Sequence, residues 1–253
     1  MGKRNVGDRL EVPQAIVGRM RPAGRTVHTH SMFETTHDCM NFAAYARNQL
    51  PPPPARVLEV GCGREGGLAA ELADDGYDVL AVDPEAPSGP LYRRVTLEEL
   101  DDEGPFDAVV AGRVLHHVDP LGPALDKLRR LAPLLVLDEF AWNHMDDPTV
   151  EWYEAQHRVL AAAGREPKGP PDLGEWRARH SDLHPYETLR AELDARYEER
   201  HFEWRPYFYR WLEGPASEGL EESLIAAGAI RPIGFRYAGV VSTETARSAA
   251  EDR

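Results

Sequence analysis

The chain has 253 residues, 42% of them hydrophobic and 28% charged, which allows one well-packed core. Its formal net charge of −14 argues against a nucleic-acid partner, because phosphate binding depends on clustered lysine and arginine. The two cysteines are too few for a disulfide framework, and no apolar run approaches the roughly 20 residues that span a bilayer, so we expect reduced thiols, a cytoplasmic location and no membrane partner.

Residues 1–54 precede the first predicted strand and are expected to form an N-terminal segment and cap. The second half of this segment is rich in histidine, methionine and aromatic side chains, and residues 38–50 are predicted to form a helix. Three interpretations stay open: a lid over a bound cofactor with histidines facing substrate, a metal site built from His28, His30 and His37, or a helix packed on the core with solvated histidines.

A glycine-rich turn follows the proline block at residues 51–54. The apolar run that ends at Val60 predicts a strand covered on both faces, and residues 68–75 predict a helix that stops at Gly76. Between them, Gly61, Gly63 and Gly66 let the backbone turn sharply and approach a ligand closely, because no Cβ obstructs them. The stretch therefore indicates a nucleotide-binding βα corner.

The identity of that nucleotide is not settled by glycine spacing, since Gly61-x-Gly63-x-x-Gly66 also satisfies the dinucleotide fingerprint. Glu59, at the mouth of the strand, would repel the pyrophosphate of NAD or FAD and suits a cationic ligand. The sequence VLEVGCG, residues 57–63, resembles motif I of class I S-adenosylmethionine-dependent methyltransferases, whose cofactor carries a sulfonium and an α-ammonium group. The resemblance implies that Glu59, Gly61, Cys62, Gly63 and Gly66 contact S-adenosylmethionine.

The second predicted strand, residues 77–83, ends in a further acidic residue. Asp83 lies about 20 residues past the glycines, the spacing at which a carboxylate reaches the ribose hydroxyls of a nucleotide. Because NAD and S-adenosylmethionine share that ribose, Asp83 and the adjacent Pro84 support a nucleoside site without choosing between the two. The alternative is a plain turn residue before proline.

The third predicted strand, residues 92–95, leads to a segment that related methyltransferases place against adenine. Thr96 stands where those relatives carry an aspartate, so the contact to the adenine amino group has no assigned residue. Leu97 is expected to pack on the adenine ring. Glu98 and Glu99 are expected to be solvated.

Residues 106–111 predict the fourth strand and resemble the FDxV element of the same superfamily. The resemblance places Ala111 against the cofactor and the loop 112–118 beside the substrate. Asp119 and Pro120 predict an N-cap and a first-turn proline for the helix that follows, and residues 134–137 predict the fifth strand. Alternating strands and helices predict an α/β fold with a parallel sheet, whose ligands bind at the carboxyl ends of the strands. Residues 55–140 are thus the expected cofactor-binding core.

Residues 141–213 are expected to form a mostly helical insertion after the fifth strand. It contains all five tryptophans and two predicted helices, residues 147–163 and 185–199, joined by a loop around residues 164–174. The insertion is either a substrate lid or a satellite aromatic core. Residues 214–253 supply a last helix, residues 217–228, and one strand or a hairpin, which complete a Rossmann-like, mostly parallel seven-stranded sheet with helices on both faces.

Candidate proton acceptors follow the fourth and fifth strands. They are His116, His117, Glu139 and His144. In relatives, the second histidine of this loop occurs across many substrates, which is also typical of a structural role. Relatives that bind a metal here use two carboxylates, and Arg113 and His116 stand in their places, so we expect no metal.

His180 and His184 have the spacing of a helical metal pair, without the carboxylates or cysteines that would complete a zinc site. The predicted function is transfer of a methyl group from S-adenosylmethionine to a small molecule, in natural-product or secondary metabolism. An NAD-dependent oxidoreductase, a non-catalytic partner protein of the same fold, and other S-adenosylmethionine chemistry are the alternatives. The sequence leaves a homodimer open.

Overall fold

A computed structural model describes residues 41–100 and 104–242 of the chain. The strands are β1 Arg56–Val60, β2 Asp78–Val82, β3 Tyr92–Arg93, β4 Ala108–Gly112, β5 Leu134–Phe140, β6 Tyr197–Arg205 and β7 Gly234–Val241. The α-helices are α1 Phe42–Gln49, α2 Ala69–Asp74, α3 Leu121–Leu131, α4 Asp147–Ala162, α5 Leu173–Arg179, α6 Tyr186–Asp194 and α7 Pro215–Ala226. Short 3₁₀ turns lie at Leu115–His117, Trp142–His144 and Phe208–Arg210. The proposed metal site of His28, His30 and His37 lies outside the described residues.

The strands form one seven-stranded sheet in the order β3-β2-β1-β4-β5-β7-β6. Strands β1 to β5 pair in parallel, whereas β7 is antiparallel to both β5 and β6. This confirms the predicted Rossmann-like, mostly parallel sheet. Because parallel strands end at the same edge, the carboxyl ends of β1, β2, β4 and β5 meet there, where ligands bind in open α/β sheets.

Helices cover both faces of the sheet because its central strands are apolar on both sides. In β1, Leu58 packs into the cluster that includes Leu128 of α3 and Leu193 of α6. Its neighbour Val57 points to the opposite cluster, with Leu72 of α2. Each fully buried leucine of this kind contributes about 1.5 to 3 kcal/mol to folding. Among the helices that the structure describes, none combines the length and apolar character needed to cross a bilayer.

Helix α3 begins one residue later than the sequence predicts. Pro120 occupies the N-cap position with an extended backbone, and no side chain caps the helix. The prediction of Asp119 as N-cap is therefore wrong. The physical reason is that Pro120 supplies the first carbonyl of the helical ladder, to Ala124, while Asp119 lines the cleft described below.

Strand β6 is the largest departure from the predicted elements. The predicted helix at residues 185–199 ends at Asp194, and the chain from Tyr197 onward is a strand that pairs with β7. Phe202 and Trp204 lie at alternate positions, the period of a strand, and charged residues between them hide that signal. The partner of β7 is thus supplied from before α7, not from a hairpin within residues 230–241.

The insertion packs around a third hydrophobic cluster, which includes Phe140, Tyr153 and Phe208. Four of its five tryptophans pack against this cluster: Trp142, Trp152, Trp176 and Trp211. The fifth, Trp204, lies in β6 and is 37% exposed. The tryptophans therefore build a satellite core beside the carboxyl end of β5.

A buried glutamate of α7 holds the 3₁₀ turn Phe208–Arg210 in place. Glu221 is fully buried, and its carboxylate accepts hydrogen bonds from the backbone N–H groups of Tyr207 at 2.8 Å, Phe208 at 3.0 Å and Tyr209 at 2.7 Å. These are N–H groups that a helical turn leaves without intrahelical partners. Burial raises the pKa of Glu221 to about 7, and the three backbone donors oppose that rise.

We expect Glu221→Gln to flatten the pH dependence of stability. The folded-state pKa of Glu221 is about 7, against an ordinary value of 4.5, so the unfolded chain loses this proton first as the pH rises. The protonated carboxyl therefore stabilises the fold fully at a pH below the unfolded-state pKa. As the pH rises through the folded-state pKa, this stabilisation, on the order of 2 to 3 kcal/mol, is lost. Urea unfolding of both proteins at low and neutral pH measures this difference. Equal pH slopes in the two proteins would contradict it.

Candidate functional site

The glycine turn after β1 packs against a glutamate of its own strand. Gly67 has a left-handed backbone with φ +56°, and a Cβ added there would come 2.0 Å from Oε1 of Glu59. Gly61 has φ +80°, and an added Cβ would come 2.7 Å from Cβ of Val114 in the loop after β4. The glycine spacing identified Gly61 but missed Gly67. Position 67 must be glycine because the side chain of Glu59, eight residues earlier, occupies the space of a Cβ.

Glu59 is buried under this turn. Its two carboxylate oxygens accept hydrogen bonds from the backbone N–H of Leu68, at 2.8 and 3.0 Å, where α2 begins. Burial raises the pKa of Glu59 to about 7, while the backbone donors of Leu68 and Ala69 lower it. The carboxylate thus fixes the turn, and its predicted contact with a cationic ligand stays a prediction.

A cleft of about 320 Å³ lies at the carboxyl ends of β1 and β2. Its volume is within the roughly 300 to 1,000 Å³ of small-ligand sites. Four predicted cofactor-binding residues line it together: Gly61, Asp83, Pro84 and Leu97. We call this space the nucleoside cleft.

Two acidic groups of this cleft are arranged by short turns. Asp83 uses Oδ1 to accept a hydrogen bond from the backbone N–H of Glu85 at 2.7 Å, so the expected turn role and the place in the cleft coexist. Thr96 and Glu99 bond reciprocally, at 3.0 and 3.3 Å, as in a capping box. Glu98 is exposed, as expected, and this turn places it at the edge of the cleft.

A second space of about 280 Å³ adjoins the first at Gly61, which lines both. We call it the arginine hollow, because Arg113 and Arg210 line it together with Glu59 and Cys62. Burial raises the pKa of the Cys62 thiol to about 12, so this cysteine is protonated at neutral pH. The remaining predicted cofactor residues lie next to these spaces: Gly63 and Gly66 in the turn and Ala111, fully buried, in β4.

Two of the predicted proton acceptors form a buried pair. Nδ1 of His116 lies 2.6 Å from Oε2 of Glu139, and the side chains are 4% and 0% exposed. The other oxygen of Glu139 accepts hydrogen bonds from the backbone N–H groups of Val114 at 2.7 Å and Leu115 at 2.6 Å. Glu139 therefore holds the 3₁₀ turn after β4 and orients the His116 ring.

His117 differs from His116 in its surroundings. It is exposed and lines the nucleoside cleft, with its ring centroid 4.2 Å from that of His116. Burial of part of the ring and the neighbouring His116 lower its pKa below 6.5, while Glu139 and Asp182 act in the opposite direction. At neutral pH His117 is the uncharged imidazole that a proton acceptor requires.

The other histidines lie in the insertion. His144 is half-buried, with Nε2 3.0 Å from a carboxylate oxygen of Glu187. His180 caps the end of α5, and Nε2 of His184 donates to the carbonyl of Val118 at 2.8 Å. Since α5 ends before His180, these two histidines do not share a helix face, and no cluster suited to a metal occurs in residues 41–100 or 104–242.

A family model described as a methyltransferase domain matches residues 30–196, more than half of the chain. The chain therefore belongs to the methyltransferase domain family. This confirms the resemblance to class I S-adenosylmethionine-dependent methyltransferases. S-adenosylmethionine is the cofactor of that class.

Curated relatives match part of the chain. A ubiquinone biosynthesis O-methyltransferase of Rhizobium rhizogenes is 32% identical over 116 residues, which cover 40% of this chain and 46% of that protein. An uncharacterised methyltransferase of Mycobacterium bovis is 30% identical over 125 residues, covering 46% of this chain and 50% of that protein. The chain thus spans about half the length of the curated relatives it matches.

The fold is also that of a solved structure, an S-adenosylmethionine-dependent methyltransferase from Mesorhizobium loti. The two chains are 17% identical with a TM-score of 0.50, and the match covers 79% of this chain and 98% of the other. At this identity the likeness shows the shared fold alone.

Two glycine substitutions separate backbone strain from steric conflict in the turn. Gly63→Ala and Gly67→Ala both place alanine at a left-handed φ, which costs about 1 to 2 kcal/mol. Only Gly67→Ala also displaces the Glu59 carboxylate, since nothing lies within 4 Å of a Cβ at Gly63. We expect Gly67→Ala to lose roughly 2 kcal/mol or more beyond the control in chemical unfolding. Equal losses would show that Glu59 does not occupy this position.

Proposed function

We propose that the chain transfers a methyl group from S-adenosylmethionine to a hydroxyl group of a small molecule. The observation that carries the proposal is the meeting of two differently lined spaces at Gly61. One suits a nucleoside, and the other suits the charged amino-acid part of the same cofactor.

The nucleoside cleft has the hydrogen-bond acceptors and the apolar surface that adenosine requires. Asp83 lies at the end of β2, where a carboxylate reaches ribose hydroxyls, and its Oδ2 remains for them because Oδ1 serves the turn. Leu97 is 5% exposed and offers an apolar surface for the adenine ring. We assign to Glu98 the contact with the adenine amino group, for which the sequence left no residue.

The arginine hollow fits the other half of the cofactor electrostatically. The α-ammonium and sulfonium groups favour a site with carboxylates, and Glu59 and Asp138 line this hollow. When bound, S-adenosylmethionine supplies an electrophilic methyl group on its sulfonium. The residues of the chain then have two tasks, to align the acceptor and to exclude water.

His117 is the proposed proton acceptor for the substrate hydroxyl. It is exposed toward the nucleoside cleft, and its lowered pKa keeps it uncharged at neutral pH. Glu139 and His116 act as positioning residues, because their hydrogen bond and the backbone bonds of Glu139 fix the turn that carries His117. Catalytic roles for Glu139 and His144 themselves remain predictions.

A small-molecule acceptor is supported by how the insertion meets this loop. The backbone N–H of His184 donates to the carbonyl of His116 at 3.0 Å, and its ring bonds to the carbonyl of Val118, so the insertion is attached on both sides of His117. Such a cover favours a compact acceptor over a macromolecule. The O-methyltransferase names of the matched relatives support a hydroxyl acceptor, and we place the reaction in biosynthetic metabolism. Two expectations stay predictions: the cytoplasmic location and the absence of a nucleic-acid partner. Whether the chain forms a homodimer stays open.

We expect S-adenosylhomocysteine to bind the purified chain in calorimetry and NADH not to bind. Asp83→Ala removes the ribose contact and should weaken S-adenosylhomocysteine binding by about 1 to 3 kcal/mol, roughly 5- to 150-fold. Asp83→Asn keeps an oxygen for the backbone of Glu85 and is the control for the turn. Binding of NADH instead of S-adenosylhomocysteine would contradict the assignment.

The state of His117 is measurable without an acceptor. We expect its ring signal, assigned by its loss in His117→Gln, to titrate in NMR spectra with a midpoint below 6.5, because burial and His116 disfavour the imidazolium form. In Glu139→Gln the midpoint should fall further, since the carboxylate of Glu139 favours the charged imidazole. A midpoint above 6.5 in the parent chain would remove His117 as the uncharged base at neutral pH.

A further inference from the structure

The carboxylates that line the arginine hollow already have partners, whereas one of its two arginines has none among the described residues. Glu71 pairs with Arg47, and both oxygens of Glu59 are bonded to the start of α2. Asp138 is buried and lies 3.0 Å from Nη2 of Arg210. Each carboxylate that lines the hollow is therefore already engaged.

Arg113 is the cation without such a partner. Its backbone N–H donates to the carbonyl of Asp138 at 2.7 Å, but its guanidinium has no ion pair with any residue in 41–100 or 104–242. It is also the non-glycine residue with a left-handed backbone in the described part of the chain, at φ +57°. A strained conformation of this kind at a ligand site is an observation that points to function.

Arg210 approaches the hollow from the 3₁₀ turn that Glu221 holds. One nitrogen, Nη2, bonds to Asp138, whereas the buried Nε has no hydrogen-bond partner among the described residues. The guanidinium packs 5.1 Å from the ring of Tyr209, which limits its movement. Arg113 and Arg210 line the same hollow, so the two cations face one space.

We propose that Arg113 and Arg210 together bind one carboxylate group in the arginine hollow. Guanidinium groups pair with carboxylates through two parallel hydrogen bonds. Because three carboxylates also line the hollow, a singly charged carboxylate is repelled less than a doubly charged phosphate would be. The proposal rests on the proposed function, because that function supplies two sources of a carboxylate: the amino-acid part of the cofactor and an acidic acceptor.

The first arm of the test uses two nucleosides that differ in the amino-acid part. S-adenosylhomocysteine carries the carboxylate, and 5′-methylthioadenosine lacks it. Arg113→Asn is the main variant, because asparagine tolerates a left-handed backbone, and Arg210→Gln is the second. If the cofactor is the source, each variant weakens S-adenosylhomocysteine at least tenfold in calorimetry and changes methylthioadenosine less than threefold.

The second arm tests an acceptor carboxylate. Benzoate is titrated into the chain saturated with S-adenosylhomocysteine, with benzamide as the uncharged control ligand. If the acceptor is the source, benzoate binds the parent chain more tightly than benzamide does, and Arg113→Asn removes that preference. Arg179→Gln, which removes an exposed arginine paired within α5, is the control for a general loss of charge and should change neither arm.

The outcomes separate the two proposals. If neither S-adenosylhomocysteine nor benzoate depends on Arg113, the carboxylate site is overturned and the methyltransferase function stands. If the parent chain binds neither nucleoside, the proposed function fails. Benzoate binding to the free chain then tests by itself whether Arg113 and Arg210 bind a carboxylate. The thermal midpoint checks for a structural role: Arg113→Asn should melt no lower than the parent chain, since asparagine relieves the strain at this position.

Discussion

Buried glutamates that cap backbone turns hold the site together. Glu59 accepts from the N–H of Leu68, Glu139 from those of Val114 and Leu115, and Glu221 from those of Tyr207, Phe208 and Tyr209. In each case the donors stand where a helical turn begins, so the carboxylate replaces partners that the turn itself lacks. Hydrogen bonds to a charged group contribute about 1.5 to 3 kcal/mol each, which offsets part of the cost of burying the carboxylate, although the pKa values of Glu59 and Glu221 are still raised to about 7. The glycine turn after β1, the 3₁₀ turn Leu115–His117 (the histidine turn) and the 3₁₀ turn Phe208–Arg210 (the arginine turn) are therefore held in the same way.

This arrangement explains why the ligand spaces lie at one edge of the sheet. Glu59 and Glu139 are the next-to-last residues of β1 and β5, the two strands that flank β4. The turns that they cap therefore lie at the same edge of the sheet. Asp138, next to Glu139, points to the opposite face and is balanced by Arg210 at 3.0 Å and Arg236 at 3.5 Å. Alternation along β5 thus assigns one acidic residue to the histidine turn and the next to the arginine hollow.

The sequence predicted those parts of the molecule whose causes are local. Strands β1, β2, β4 and β5 follow from short apolar runs. Gly61 and Asp83 were predicted from their spacing after β1, and Leu97 from the resemblance to related methyltransferases. What was missed depends on contacts between distant residues. Gly67 is required by Glu59, Glu221 acts on a turn twelve or more residues earlier, and β6 is a strand because β7 pairs with it, against a charged sequence that favours a helix. Arg210 belongs to the site only because that turn brings it there.

The capped turn after β4 also distinguishes two adjacent histidines that the sequence could not separate. A base must present an accessible nitrogen to the substrate. His116 is 4% exposed, lies edge-on against Phe140 at 4.8 Å, and has its Nδ1 directed at Glu139. His117 is exposed to the cleft instead. Its pKa is lowered by His116 and raised by the carboxylate of Glu139. The buried pair thus acts on the pKa of the exposed ring through space, so in the proposed reaction Glu139 affects proton transfer without contacting the substrate.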